Sequence, residues 1–276
     1  MAPSGAPTID FVQSADGTKL AFRKWPIANA SLTLAVLHGL GEHSGRYERF
    51  AWGMAPFGVE TYAVDLRGHG DSAGQKGHVD SWSQWIDDAA AFFSHVESQV
   101  SGEVVPLGHS FGGAVMLSAV LAGRVPHARR FVLSSPALKL KVAVPSWKAS
   151  LGKMTSRLAP RLTMNNEVDA RTISRIPEVV EAYRTDPLVH SKISSRMFTE
   201  WQRAAEDDLA RAGEIKIPFL IVAGSDDALV DPEGSRRLHD RAPTSELHIF
   251  EGRYHELFND RGNEEVFALI GRWLGK

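Results

Sequence analysis

The chain of 276 residues has no cysteine, which excludes disulfides, thiolate nucleophiles and cysteine-ligated metals while leaving the compartment open. It has no excess of basic charge. With 31 lysines and arginines against 33 aspartates and glutamates the formal charge is −2, so there is no general field for nucleic acid. The pairs Arg129-Arg130 and Arg236-Arg237 read as solvated surface. It has no long apolar run either: Leu34 to Leu37 and Phe219 to Ala223 are far shorter than the roughly 20 residues a membrane-spanning helix needs. The start, Met1-Ala2-Pro3-Ser4-Gly5-Ala6-Pro7, lacks a basic stretch followed by an apolar core, so no signal peptide is expected and a cytoplasmic location is the default. Internal repeats and low-complexity tracts are also missing.

What is present is enough apolar material, 43% of the residues, for a substantial core. Short apolar runs read as strands at Ile9 to Gln13, Leu20 to Lys24, Leu32 to Leu37, Thr61 to Val64, the stretch before Ser110, Phe131 to Ser134, Pro218 to Ala223 and Leu247 to Phe250. Between them, helical spacing is visible around Tyr47, Phe50, Ala51 and Met54, and from Trp82 to Val96. It recurs after Ser110, near Pro232 to Arg241, and from Glu264 to Leu274. Alternating strands and helices predict a mostly parallel sheet covered on both faces. The rhythm breaks between Pro136 and Ala212, where prolines interrupt and no strand–helix alternation is seen. Residues 1–135 and 213–276 are therefore expected to form an α/β core, and 136–212 a helical insertion.

The segment Gly108-His109-Ser110-Phe111-Gly112 places a serine at the apex of a tight strand-to-helix turn. Glycines on both sides relieve crowding, and the strained turn lifts the hydroxyl clear of the sheet. A serine hydroxyl is almost un-ionised at neutral pH, so it needs a base, and the base needs an orienting acid. In chain order the acid follows the serine and the histidine comes last. The loop after the Pro218 strand offers Asp226, Asp227 and Asp231, of which Asp227 is preferred. His255, after the final strand, is the best-placed base among 11 histidines. The loop His38-Gly39-Leu40-Gly41 can present the Leu40 N–H opposite that of Phe111, so these two are the expected oxyanion donors. His38, Glu42 and His43 follow no metal-binding spacing, and no metal or organic cofactor is expected. Glu42 and Arg46 either pair on the surface or brace the oxyanion loop. Asp65 to Ser72 precedes the serine and reads as a shaped loop.

Several of these segments together resemble the monoacylglycerol lipase and lysophospholipase family, the serine-aminopeptidase-like hydrolases. They are the run His38 to Tyr47, Asp65 to Ser72, Gly108 to Gly113, Thr185-Asp186-Pro187-Leu188-Val189, Gly224 to Asp231 and Glu251 to Glu256. They follow the family's order over nearly the whole chain. The resemblance implies an α/β-hydrolase fold with a helical cap over residues 136–212. It implies Ser110 as nucleophile, Asp227 as acid, His255 as base, and Leu40 and Phe111 at the oxyanion-hole positions. The family often has methionine where Phe111 stands. Only the N–H is needed there, though a ring could reshape an acyl pocket.

The implied activity is hydrolysis of a lipid monoester, monoacylglycerol or lysophospholipid, through an acyl-enzyme. Trp147, Leu151, Met154, Leu158, Phe198 and Trp201 are candidates to line an acyl tunnel, against the plainer reading that they pack on the core. An exposed part of that stripe could touch membrane or micelle surfaces. Two alternatives stand beside this. An aminopeptidase of the proline iminopeptidase type would need acidic groups such as Glu167, Glu178, Glu181, Glu200 and Glu206 to converge on a substrate ammonium. A non-catalytic scaffold would bind a ligand without turnover.

Overall fold

A single eight-stranded sheet organises the chain, in the order β1-β2-β4-β3-β5-β6-β9-β10. The computed structural model describes residues 7–141, 152, 154–166 and 168–275. Strands β1 (Thr8–Gln13) and β2 (Lys19–Trp25) pair antiparallel, and β2 runs antiparallel to β4 (Val59–Val64). From β4 onward every neighbour is parallel: β3 (Leu32–Leu37), β5 (Glu103–His109), β6 (Phe131–Ser134), β9 (Phe219–Gly224) and β10 (Ser245–Phe250). The mostly parallel sheet is the one that the alternation of strands and helices predicts.

Burial explains why the central strands form. All residues of β3 and β9 are buried, as a parallel strand covered on both faces requires, and both are unbroken apolar runs apart from Thr33 and Gly224. Helices α2 (Trp82–Gln99) and α3 (Ser110–Leu121) cover one face, where Trp85, Phe92, Phe111 and Phe131 share a core. Helix α1 (Glu48–Met54) covers the other, where Phe50, Phe258 and Phe267 interlock. The α2 start carries a capping box from Ser81 and Gln84, which fixes where that helix begins.

Between β6 and β9 the described residues include a helical stretch at 154–158, α4 (Pro177–Thr185) and α5 (Ser195–Arg211). They also include an antiparallel ribbon of β7 (Thr163–Asn165) and β8 (Lys192–Ser194), so this segment is not helical throughout as expected. Three-residue strands are too short to leave an alternation to read. The segment is tied to the core by the N–H of His190 donating to Gly41 O at 2.9 Å and that of Ser194 donating to Gly77 O at 2.7 Å. Helices α6 (Glu233–Arg241) and α7 (Asn263–Leu274) complete the chain. Among the described residues no helix is long and apolar enough to cross a membrane.

Candidate active site

The parallel strands end on one edge, and the loops that gather there carry the residues singled out above. Ser110 begins α3 directly after β5, with φ of +52°, a conformation that costs a non-glycine residue energy and survives only where its surroundings impose it. The flanking glycines are explained by contact. A Cβ on Gly112 would lie 2.4 Å from the carbonyl oxygens of Leu37 and His38, and one on Gly39 only 3.2 Å from Ser110 Cβ. The start of α3 and the loop after β3 therefore approach as closely as backbone allows.

His255, in the loop after β10, places Nε2 2.9 Å from Ser110 Oγ. Its Nδ1 lies 2.6 Å from Asp227 Oδ2. With the carboxylate able only to accept, the proton sits on Nδ1 and Nε2 is left to accept from the serine. The other Asp227 oxygen accepts the N–H groups of Leu229 and Val230 at 2.8 and 2.9 Å, which aims the carboxylate. Burial opposes the charged form of His255, but the Asp227 charge and hydrogen bond outweigh it and move its pKa above 6.5. Burial likewise opposes ionisation of Asp227, and the His255 partnership overcomes it, lowering that pKa. Of the three loop aspartates, Asp226 meets Ser225 Oγ at the surface and Asp231 pairs with Lys139. Neither is bonded to the histidine.

Two residues outside the sequence argument hold His255. Ser135 Oγ donates to the His255 carbonyl at 3.1 Å, from a residue that also has positive φ, +44°. Its only sequence signal was a serine ending a buried strand. Glu256, the residue after His255, receives Arg46 Nη2 at 2.8 and 2.6 Å.

Glu42 and Arg46 are buried, not surface groups. Arg46 Nε donates to Glu42 Oε2 at 3.1 Å, while Glu42 Oε1 accepts the Gly39 N–H at 2.6 Å and the Tyr47 hydroxyl at 2.9 Å. The carboxylate thus holds the loop that carries Leu40, and one guanidinium is shared by two buried carboxylates. Burial raises the Glu256 pKa even with Arg46 beside it. His38 has its own partners: its Nε2 accepts the Leu66 N–H at 2.9 Å and its Nδ1 lies 2.7 Å from Gly39 O. His43 reaches the insertion, with Nε2 2.9 Å from Asp186 Oδ2. Asp65 accepts from Ser44 and Asp71 N–H groups and from Arg23, and so shapes the neighbouring loop.

The apolar candidates divide. Trp147 and Leu151 lie outside the described residues. Met154 is half exposed, Phe198 is partly buried, and Trp201 is buried with its indole N–H donated to Ala137 O at 2.8 Å. Phe111 is fully buried among aromatic rings, so its bulk is absorbed by the core.

A family model described as "Serine aminopeptidase, S33" matches residues 28–262. An uncharacterized abhydrolase domain-containing protein of Dictyostelium discoideum is 34% identical over 95% of this chain, which spans only 28% of that longer protein. A monoacylglycerol lipase of Mycolicibacterium smegmatis is 31% identical, covering 94% of this chain and 93% of its own length. The crystal structure of a monoacylglycerol lipase of Paleococcus ferrophilus superposes with a TM-score of 0.81 at 30% identity, covering 98% of both chains.

Proposed function

The chain belongs to the serine aminopeptidase S33 family of α/β-hydrolases, and from that premise we propose that it is a serine esterase cleaving lipid monoesters, monoacylglycerol first among them. The observation that carries the reading is the unbroken bond chain Ser110–His255–Asp227 beside a loop whose Gly39 leaves no room for a side chain against the serine. In this mechanism Ser110 Oγ attacks the ester carbonyl as its proton passes to His255 Nε2. The tetrahedral oxyanion is received by the N–H groups of Leu40 and Phe111. Helix α3 starts without a side-chain cap, so its first-turn N–H groups are free to do this. His255 then protonates the leaving alcohol, giving an acyl-serine, and a water deprotonated by His255 releases the fatty acid. Asp227 keeps the imidazole in the useful tautomer and stabilises its cation.

Residues 136–212 act in this reading as a cap, with Phe198 and Met154 as acyl-chain contacts. The same segment exposes Leu158, Leu162 and Met164 beside Arg157 and Arg161, a pattern suited to an anionic lipid surface. Co-sedimentation with anionic vesicles should fall for Leu158→Asp together with Leu162→Asp; equal binding by the double variant sinks the surface role.

An aminopeptidase needs a free carboxylate for the substrate ammonium. Glu42 and Glu256 are both buried and both bonded to Arg46. Of the insertion carboxylates, Glu167 lies outside the described residues, Glu178, Glu181 and Glu206 are exposed, and Glu200 pairs with Arg203. The ester reading therefore has the better support. Replacing Ser110 by alanine should abolish hydrolysis of p-nitrophenyl esters and of monoacylglycerol while circular dichroism stays unchanged; undiminished hydrolysis refutes the assignment.

A further inference from the structure

The side chain that follows the nucleophile is caged. Phe111 meets Trp82, Trp85 and Trp201 edge-on, with ring centroids 5.6, 4.9 and 5.4 Å apart. Trp82 and Trp85 come from core helix α2, but Trp201 comes from α5, between β6 and β9. Its indole N–H donates to Ala137 O at 2.8 Å, and the Ala137 N–H donates to Ser110 O at 2.9 Å. Two hydrogen bonds therefore run from α5 to the backbone of Ser110, whose φ of +52° needs external support. Trp201 is 4% exposed and its polar edge is spent on backbone, so little of it remains to line a substrate channel. Phe198, partly buried with its ring 6.2 Å away, is the member of this pair left to meet an acyl chain.

We infer that Trp201 is a positioning residue for ester hydrolysis: it closes the cage around Phe111 and, through Ala137, holds the Ser110 backbone, so helix α5 sets the geometry of the nucleophile and of the Phe111 N–H. The inference rests on the serine esterase reading. It gives the inserted segment a second task besides covering the site. Movement of α5 would reach the Ser110 backbone through two hydrogen bonds, without touching substrate.

The test compares p-nitrophenyl acetate, too short to use an acyl channel, with p-nitrophenyl laurate. Trp201→Phe keeps a ring and loses the indole donor. Its kcat should fall about fivefold, the effect of one lost neutral hydrogen bond, by the same factor on both esters and with KM unchanged. Labelling by a fluorophosphonate should slow by that factor too. Phe111→Leu, which opens the cage while leaving the Trp201 bond in place, should show the same kcat-only loss and serves if the first variant does not fold. A loss confined to laurate or carried in KM makes Trp201 an acyl contact and overturns the inference. Unchanged kcat with only a lower unfolding midpoint reduces it to structure and overturns it as well. Wild-type protein that neither cleaves the esters nor takes the label refutes the esterase reading itself, and the inference with it.

Discussion

Replacing Arg46 by methionine probes a cluster of three buried charges. The guanidinium is 8% exposed and the carboxylates of Glu42 and Glu256 are 5% and 6% exposed. Without Arg46, two glutamates would face each other with no cation and little water. The cheapest response is for one to take up a proton. At pH 7, protonating a carboxyl with an ordinary pKa of 4.5 costs roughly 3.4 kcal/mol, at about 1.4 kcal/mol per unit. That agrees with the ~3–5 kcal/mol typical of breaking a buried ion pair by removing one partner. The sign with pH follows. In the variant the folded-state pKa of one glutamate is raised, so its folded form is favoured at low pH and loses stability as pH rises. The deficit against wild type should shrink by about 1.4 kcal/mol per unit from pH 7 to pH 5. Urea unfolding at pH 5, 6 and 7 measures this. Adding Glu256→Gln removes the need for the proton and should restore most of the loss at pH 7. A deficit that does not change with pH, or one below about 1 kcal/mol, would refute the reasoning.

The remaining predictions concern single carboxylates. Asp227→Asn should lower kcat by about 10⁴, as expected when a triad histidine loses its orienting acid, while Asp226→Asn stays near wild type because the Asp226 carboxylate bonds Ser225 at the surface and not His255. A large loss in the Asp226 variant alone would reassign the acid. Wild-type kcat/KM should rise with pH through a pKa above 6.5, since His255 acts as base only when neutral and Asp227 raises its pKa. A rate independent of pH between 5 and 8 contradicts that base. Asp208 on α5, bonded to Ser118 on α3, has its pKa pushed by burial to about 7. The folded state then keeps a proton that the unfolded chain releases, so stability falls as pH climbs from about 4 to 7. Asp208→Asn should lack this slope, and parallel Tm-versus-pH curves for the two proteins would contradict it.

The core was legible because its strands are buried on both faces: β3 and β9 are apolar runs that periodicity finds at once. The serine and the acid were legible for a related reason, since each follows such a strand, while the histidine follows the less buried edge strand β10, found from Leu247 onward. Boundaries shifted where strand ends are polar or small, so that β4 begins at Val59 and β10 at Ser245. The β7–β8 ribbon was not legible, because three residues with a single apolar side chain each are too short to show a pattern. Nor was the burial of Glu42 and Arg46: two charges four residues apart read equally well as a surface pair, and only Glu256, 210 residues from Arg46, makes them a core cluster. Phe111 was expected to offer its N–H, with a ring able to reshape an acyl pocket, and Trp201 either to line that pocket or to pack on the core; the sequence did not decide between these. The inward packing of Phe111 rests on Trp82, Trp85 and Trp201, which no local pattern connects to it.

The central claim is that Ser110 is the nucleophile of a lipid monoesterase. Fatty-acid release from monoacylglycerol micelles, followed in a pH-stat for wild type and Ser110→Ala side by side, tests it most directly. The account predicts steady release by wild type and background by the variant. Release that survives the substitution, or a wild type that leaves monoacylglycerol intact while cleaving an aminoacyl-naphthylamide, would contradict it.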